Sequence, residues 1–220
     1  MKNLLVFMLL LPCLEVAAQQ GQVHDLFNGK DFTGWNKFLR TQGLNNDPEH
    51  VFTIKDGVIK ATGKEFGYIA TENTYNNFHL SLEFKWGEKK YPPRENEKRD
   101  AGILFFTDAT LDKIWPRSLE CQIQEGDVGD LWLIDSATAV VNGVRTTPNN
   151  YTRVEKKSDN ELPHGSWNHV EVIADGGKFT FKVNGVVVNE GESPSIRDGR
   201  IVLQSEGAEV YYRNIKISEQ

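Results

Sequence analysis

The sequence predicts an all-β protein, a two-sheet antiparallel sandwich of jelly-roll type, and three observations predict it. From residue 50 onward, short runs of β-branched and aromatic residues alternate with polar ones. Gly, Asn and Asp separate those runs, as in strands joined by hairpins. No stretch carries the period of a three-turn amphipathic helix. Roughly a dozen strands at this spacing suit a jelly roll, although periodicity alone also describes another β-barrel.

The first residues, "MKNLLVFMLLLPCLEVAAQQ", carry Lys2, an apolar run from Leu4 to Leu14 and the small pair Ala17-Ala18. This pattern is a secretory signal peptide, expected to be cleaved after Ala18. The apolar run is too short to span a bilayer, and no later stretch approaches the roughly 20 apolar residues a membrane helix needs. "LLPC" is a poor lipobox because Pro12 stands where a small residue is expected, so no lipid anchor is predicted. Residues 1–18 are therefore expected to be removed, leaving 19–220 as a single jelly-roll domain in the periplasm or outside the cell.

Of the two cysteines only Cys121 then remains, so the domain must hold together without an intramolecular disulfide. The net charge is −6 and basic clusters are absent, which argues against nucleic acid and anionic membrane as partners. Oligomeric state is not readable from the sequence.

Three turns are nearly explicit: Asp56-Gly57, Asn142-Gly143 and Asn184-Gly185. These pairs supply the positive φ values of tight hairpins. "HLSLEFKW" puts Leu80, Leu82, Phe84 and Trp86 on one face of a strand, with Ser81, Glu83 and Lys85 on the other. "NHVEVIAD" and "KFTFKV" alternate in the same way, and "GRIVLQ" begins another strand. The charged, proline-containing stretch 87–102 reads as a long loop, either a solvated connection or a rim over a binding face.

The segment most suggestive of chemistry is "LECQIQEG" at 119–126. Residues two apart share a face, so Glu120, Gln122 and Gln124 line one side of the strand while Cys121 and Ile123 face the core. Acid and amide groups about 6–7 Å apart can pair with the donors and acceptors of a polyhydroxylated ligand. A second spacing, Glu120, Gln122 and Glu125, is similar to the E-x-D-x-x-E motif of retaining β-glucanases, in which a bulge returns the last Glu to the face of the first. Two carboxylates about 5–5.5 Å apart would then act by double displacement. Gln122 lacks the charge of the middle Asp in that motif.

Further candidates are Lys85 on the strand at 80–86, and Gln204 and Glu206 in "IVLQSEG". Trp115 and Trp132 flank the acidic segment and are suited either to stacking on sugars or to packing. The acidic turn with Glu125, Asp127 and Asp130 lacks the spacing of an EF-hand. No pair of the five histidines has zinc-ligand spacing, and no G-x-S-x-G or Walker loop is present.

Taken in order, "DLFNGKDFTGW", "YNNFHLSLEFKW", "DAGILFF", "SLECQIQEGDVGDLW", "SWNHVEVIADGGKFTFKVNG" and "GRIVLQSEGAEVYYRNIKI" resemble successive blocks of the 3-keto-disaccharide hydrolase domain family. The resemblance covers about residues 25–218. It implies a concanavalin A-like jelly roll and cleavage of glycosides already oxidised to a ketone at C3, by hydrolysis or by elimination followed by hydration. It implies a divalent metal ion and no organic cofactor, with an oligosaccharide or glycoside as ligand. On that footing Glu120 is base or metal ligand, and Gln122 and Gln124 orient substrate or metal. Lys85 or Arg213 stands near the developing charge, and Glu125, Trp132, Gln204 and Glu206 complete the candidate site. The chain departs from the family at Ala101, where Ser is frequent, and at Phe106 and Glu206, where His is frequent. A non-catalytic carbohydrate-binding module and a retaining β-glucanase are the alternatives.

Overall fold

The structure, a computed structural model, describes residues 21–108, 110–111 and 113–219. The leader predicted at 1–18 lies outside these. In chain order the strands are β1 (His24–Asp25), β2 (Trp35–Leu39), β3 (Gly43–Leu44), β4 (Phe52–Lys55), β5 (Val58–Ala61), β6 (Gly67–Thr71), β7 (Phe78–Lys90), β8 (Gly102–Thr107) and β9 (Ser118–Gln122). There follow β10 (Leu131–Ile134), β11 (Val140–Val141), β12 (Val144–Arg145), β13 (Tyr151–Val154), β14 (Asn168–Asp175), β15 (Lys178–Val183), β16 (Val186–Glu192), β17 (Arg200–Ser205) and β18 (Ala208–Glu219). Among the described residues there is no helix, and hence none long and apolar enough to cross a membrane.

Two antiparallel sheets form the jelly-roll sandwich. The ten-stranded sheet runs β12-β11-β16-β15-β14-β7-β18-β5-β4, with β1 also on β18. The eight-stranded sheet runs β13-β10-β9-β8-β17-β6-β2-β3. All three predicted hairpin turns form, joining β4 to β5, β11 to β12 and β15 to β16. In each, both residues have φ between 50° and 83°, which Asn, Asp and Gly tolerate best.

Alternation decides which side chains meet between the sheets. Leu80, Leu82 and Phe84 of β7 and Val170 and Val172 of β14 pack against Ile103 and Phe105 of β8, Leu119 and Cys121 of β9, and Leu203 of β17. Each fully buried side chain of this kind contributes about 1.5–3 kcal/mol, so the core needs no disulfide. Cys121 is a free, buried thiol.

The long loop starts later than its composition suggests. Strand β7 continues to Lys90, which pairs with Ala208 of β18, because Gly87 leaves room for the Glu209 side chain and the ladder can continue past it. The remainder, 91–101, is largely exposed and contributes Arg94 and Asp100 to the rim of a cleft.

Candidate functional site

The eight-stranded sheet has a second, outward face whose residues are also largely buried. Leu104, Tyr68, Val202 and Ile134 form a small apolar cluster there, covered by Leu111, Ile114 and Trp115 from the segment between β8 and β9. Beside that cover lies an open cleft of about 570 Å³. Its floor and walls include Glu120, Gln122, Gln124, Gln204 and Glu206, with Arg94 and Asp100 from the rim. Trp115, Trp132, Ile134 and Tyr151 form its apolar wall.

Register explains the convergence. Glu120 of β9 pairs with Leu104 of β8 and with Trp132 of β10, so all three project to the outer face. Gln122 pairs with Gly102, and Gln204 lies on β17, the neighbour of β8 on its far side. Gly102 thus sits between Glu120 and Gln204 and supplies no side chain. A Cβ there would lie 1.8 Å from Glu120 Oε1 and 2.5 Å from Gln204 Oε1. The missing methyl group is the space those two side chains occupy.

The strand geometry of "LECQIQEG" also settles its far end. Gln122 Oε1 accepts the backbone N–H groups of Ile123 (2.9 Å) and Gln124 (3.1 Å), closing a turn that ends β9. Gln124 still reaches the cleft, donating through Nε2 to Asp100 Oδ2 at 2.7 Å. Glu125 does not line the cleft. Its carboxylate accepts from Arg99 Nη1 at 3.2 and 3.3 Å beyond the strand end. No bulge returns it beside Glu120, and the predicted carboxylate pair of a retaining glucanase is not formed.

Lys85 and Arg213 are likewise misplaced by the sequence reading. Both lie on the outer face of the ten-stranded sheet, because their strands turn Phe84, Trp86 and Tyr212 inward. Lys85 Nζ sits 4.9 Å from the ring centre of Trp167, and the Arg213 guanidinium lies 3.9 Å from the same ring while pairing with Glu83. The acidic turn is also occupied: Asp130 and Asp127 pair with Arg153, and Asp127 with Lys98.

The cation of the cleft is Arg94, which the sequence reading missed, together with Asp100 and Tyr151. Arg94 Nη2 lies 2.7 Å from Asp100 Oδ2 and Nη1 lies 3.1 Å from Glu206 Oε1. The signal available for Arg94 and Asp100 was the rim reading of the loop at 87–102. Phe106 turns into the core beside Phe78 and Phe105, at φ 51°.

Electrostatics sets the carboxyls apart. Burial pushes Glu120 well above the ordinary carboxylate range, and the nearby charges of Glu206 and Asp100 push it further. Among the described residues its carboxyl has no hydrogen-bond or ion-pair partner. Glu206 is raised to about 8, first by burial and then by Asp100, against the opposing pull of Arg94 and Arg40. Asp100 is raised by burial and held back by Arg94 and Gln124.

A divalent ion on Glu120 does not fit this arrangement. Among the described residues no three His, Cys, Asp or Glu side chains are placed to hold a metal. The carboxylates nearest Glu120 are bridged by a guanidinium, which fills the position a metal would neutralise.

The comparisons agree with the fold. Residues 22–218 match the sequence profile of the 3-keto-alpha-glucoside-1,2-lyase-like domain. The chain belongs to that family. Its function is accordingly carbohydrate-related. Among solved structures, a candidate glycosyl hydrolase from Parabacteroides distasonis ATCC 8503 is 23% identical, with a TM-score of 0.63 over 91% of this chain and 94% of that one. The carbohydrate binding module CBM66 from Bacillus subtilis is 11% identical, with a TM-score of 0.59 over 86% and 98%. A β-glucanase of Bacillus licheniformis is 11% identical, with a TM-score of 0.57 over 93% and 100%. At these identities the likeness concerns the fold. No curated protein matches the sequence.

Proposed function

We propose that this protein cleaves glycosides bearing a ketone at C3, by elimination across C2 and C1 followed by addition of water. The observation that carries the reading is Glu120, buried, unpaired and facing the cleft over Gly102, one intervening strand away from Glu206.

The ketone makes the C2 proton acidic. Glu206, with a pKa near 8, is a base matched to neutral solution. It stands where relatives favour His, a residue that titrates in nearly the same range. Glu206 takes the C2 proton, the C–H electron pair forms a C2=C3 bond, and the carbonyl pair moves onto O3. The O3 pair then re-forms the carbonyl, the double bond shifts to C1=C2, and the C1–O bond breaks. Glu120, whose carboxyl burial pushes well above the ordinary carboxylate range, gives its proton to the departing oxygen. Water adds across C1=C2 to yield the free 3-keto sugar, so the net reaction is a hydrolysis. Trp132 and Tyr151, beyond Glu120 on β10 and β13, offer the leaving group an apolar surface. The N-terminal leader supports a periplasmic or secreted site of action.

The reading is tested by comparing a 3-keto-disaccharide with its unoxidised parent. Turnover of the ketone alone is expected, with a loss of about 10²–10⁴-fold in Glu120→Gln. Cleavage of the parent sugar at a similar rate would overturn the proposal, and binding of both sugars without turnover would assign the cleft to recognition only.

A further inference from the structure

Among the described residues, three polar atoms on residues lining the cleft are buried and have no hydrogen-bond partner: Arg94 Nε, Asp100 Oδ1 and Gln204 Oε1. Asp100 and Gln204 are only 5% and 2% exposed. Buried polar atoms in native proteins are almost always paired, so three in one cleft mark positions that a ligand completes. One is a donor and two are acceptors. A hydroxyl can satisfy either kind, but a ketone oxygen only accepts and must face the donor.

Arg94 is also held rigidly. Its stem packs against Gly207, where a Cβ would lie 2.9 Å from Arg94 Cβ. Its backbone N–H donates to Tyr91 O at 2.9 Å, and the Tyr91 N–H donates to Gly207 O at 2.8 Å, tying the rim to the turn after β17. Each Nη atom is engaged by a different carboxylate, and the buried Nε–H has no partner.

Resting on the elimination reading above, we propose that Arg94 is a catalytic residue that binds the C3 oxygen of the substrate. Its Nε–H donates to the ketone and its charge stabilises the enolate. Asp100 Oδ1 and Gln204 Oε1 accept hydrogen bonds from hydroxyls flanking the ketone. The guanidinium thereby supplies the charge stabilisation that a metal ion would otherwise give, in a cleft whose donors do not suit a metal. In the first half-reaction the C2–H bond breaks, its proton goes to Glu206, and the negative charge that appears on O3 lies against Arg94. Preorganised donors aimed at developing charge are among the largest contributions to catalysis.

The test follows exchange of the C2 proton of a 3-keto-disaccharide in D₂O, alongside kcat and KM, for wild type, Arg94→Ala and Arg94→Lys, with thermal melting as the folding control. Arg94→Ala is expected to lose about 10²–10³-fold in exchange and kcat, with less change in KM and partial rescue by added guanidinium. Arg94→Lys keeps the charge without the Nε–H and is expected to fall in between. Wild type treated with EDTA is expected to keep its exchange rate. If wild type exchanges and Arg94→Ala stays within threefold of it, this inference falls and the elimination reading stands. Loss of wild-type exchange on chelation, restored by a divalent metal, also overturns it. Wild type inert on the ketone overturns both.

Discussion

On the outer face of the ten-stranded sheet, Glu83 meets Arg213, and Glu171 meets His79 and Lys182, each across neighbouring strands and part-exposed. On the outer face of the eight-stranded sheet, Asp100 and Glu206 share one arginine beside an unpaired Glu120, under a cover of loops and aromatics. Both faces carry carboxylates, cations and aromatic rings on strands of the same alternation. The difference lies in stoichiometry and water. Where each charge has its own partner in solvent, pairs contribute little and nothing is left for a ligand. Where carboxyls outnumber the cation and are buried, protons are held tightly and polar atoms stay unpaired, which is the condition for chemistry.

Removing a carboxyl from the second face is the strongest way to break this contrast. Glu206→Gln is expected to lower turnover of a 3-keto glycoside by about 10²–10⁴-fold. It has a separate signature in stability. With a folded-state pKa raised from 4.5 to about 8, Glu206 keeps in the folded protein a proton that the unfolded chain has already lost. Stability therefore falls as pH rises from about 4.5 to about 8 and levels off above that. In Glu206→Gln the melting temperature should decline less across that window, as measured by thermal denaturation in a pH series.

Gly102→Ala probes the space rather than the charge. The new methyl group would displace the ends of the Glu120 and Gln204 side chains, both flexible, so folding stability should change by no more than about 1–3 kcal/mol. A carboxyl misplaced by an ångström should cost turnover about 10²-fold. Kinetics together with a denaturant titration separate the two. The smallest effect is expected on the other sheet. Lys85→Ala and Arg213→Ala should leave turnover within about twofold and reduce stability by about 0.5–1 kcal/mol through lost contact with Trp167.

How far the sequence reached follows the same division. Alternation along 80–86 and 119–123 correctly separated inward from outward residues, and the Asn-Gly and Asp-Gly pairs marked three hairpins, because these features are local. Glu120, Gln122, Gln124, Trp132, Gln204 and Glu206 all line one cleft. Parity could not say which sheet an outward residue belongs to, and so Lys85 and Arg213 entered the candidate site wrongly. Nor could it foresee that Gln122 would cap its own strand and release Glu125 to Arg99. Arg94 lies in a stretch whose charge and prolines read equally as solvent or rim, and its role depends on a turn more than a hundred residues away.

The most direct test of the central claim is to run the 3-keto-disaccharide and its parent side by side in D₂O and follow both by NMR. The account predicts cleavage of the ketone alone, with deuterium appearing at C2 of the sugar product. Cleavage of the ketone without deuterium at C2, or equal cleavage of the parent, would contradict it.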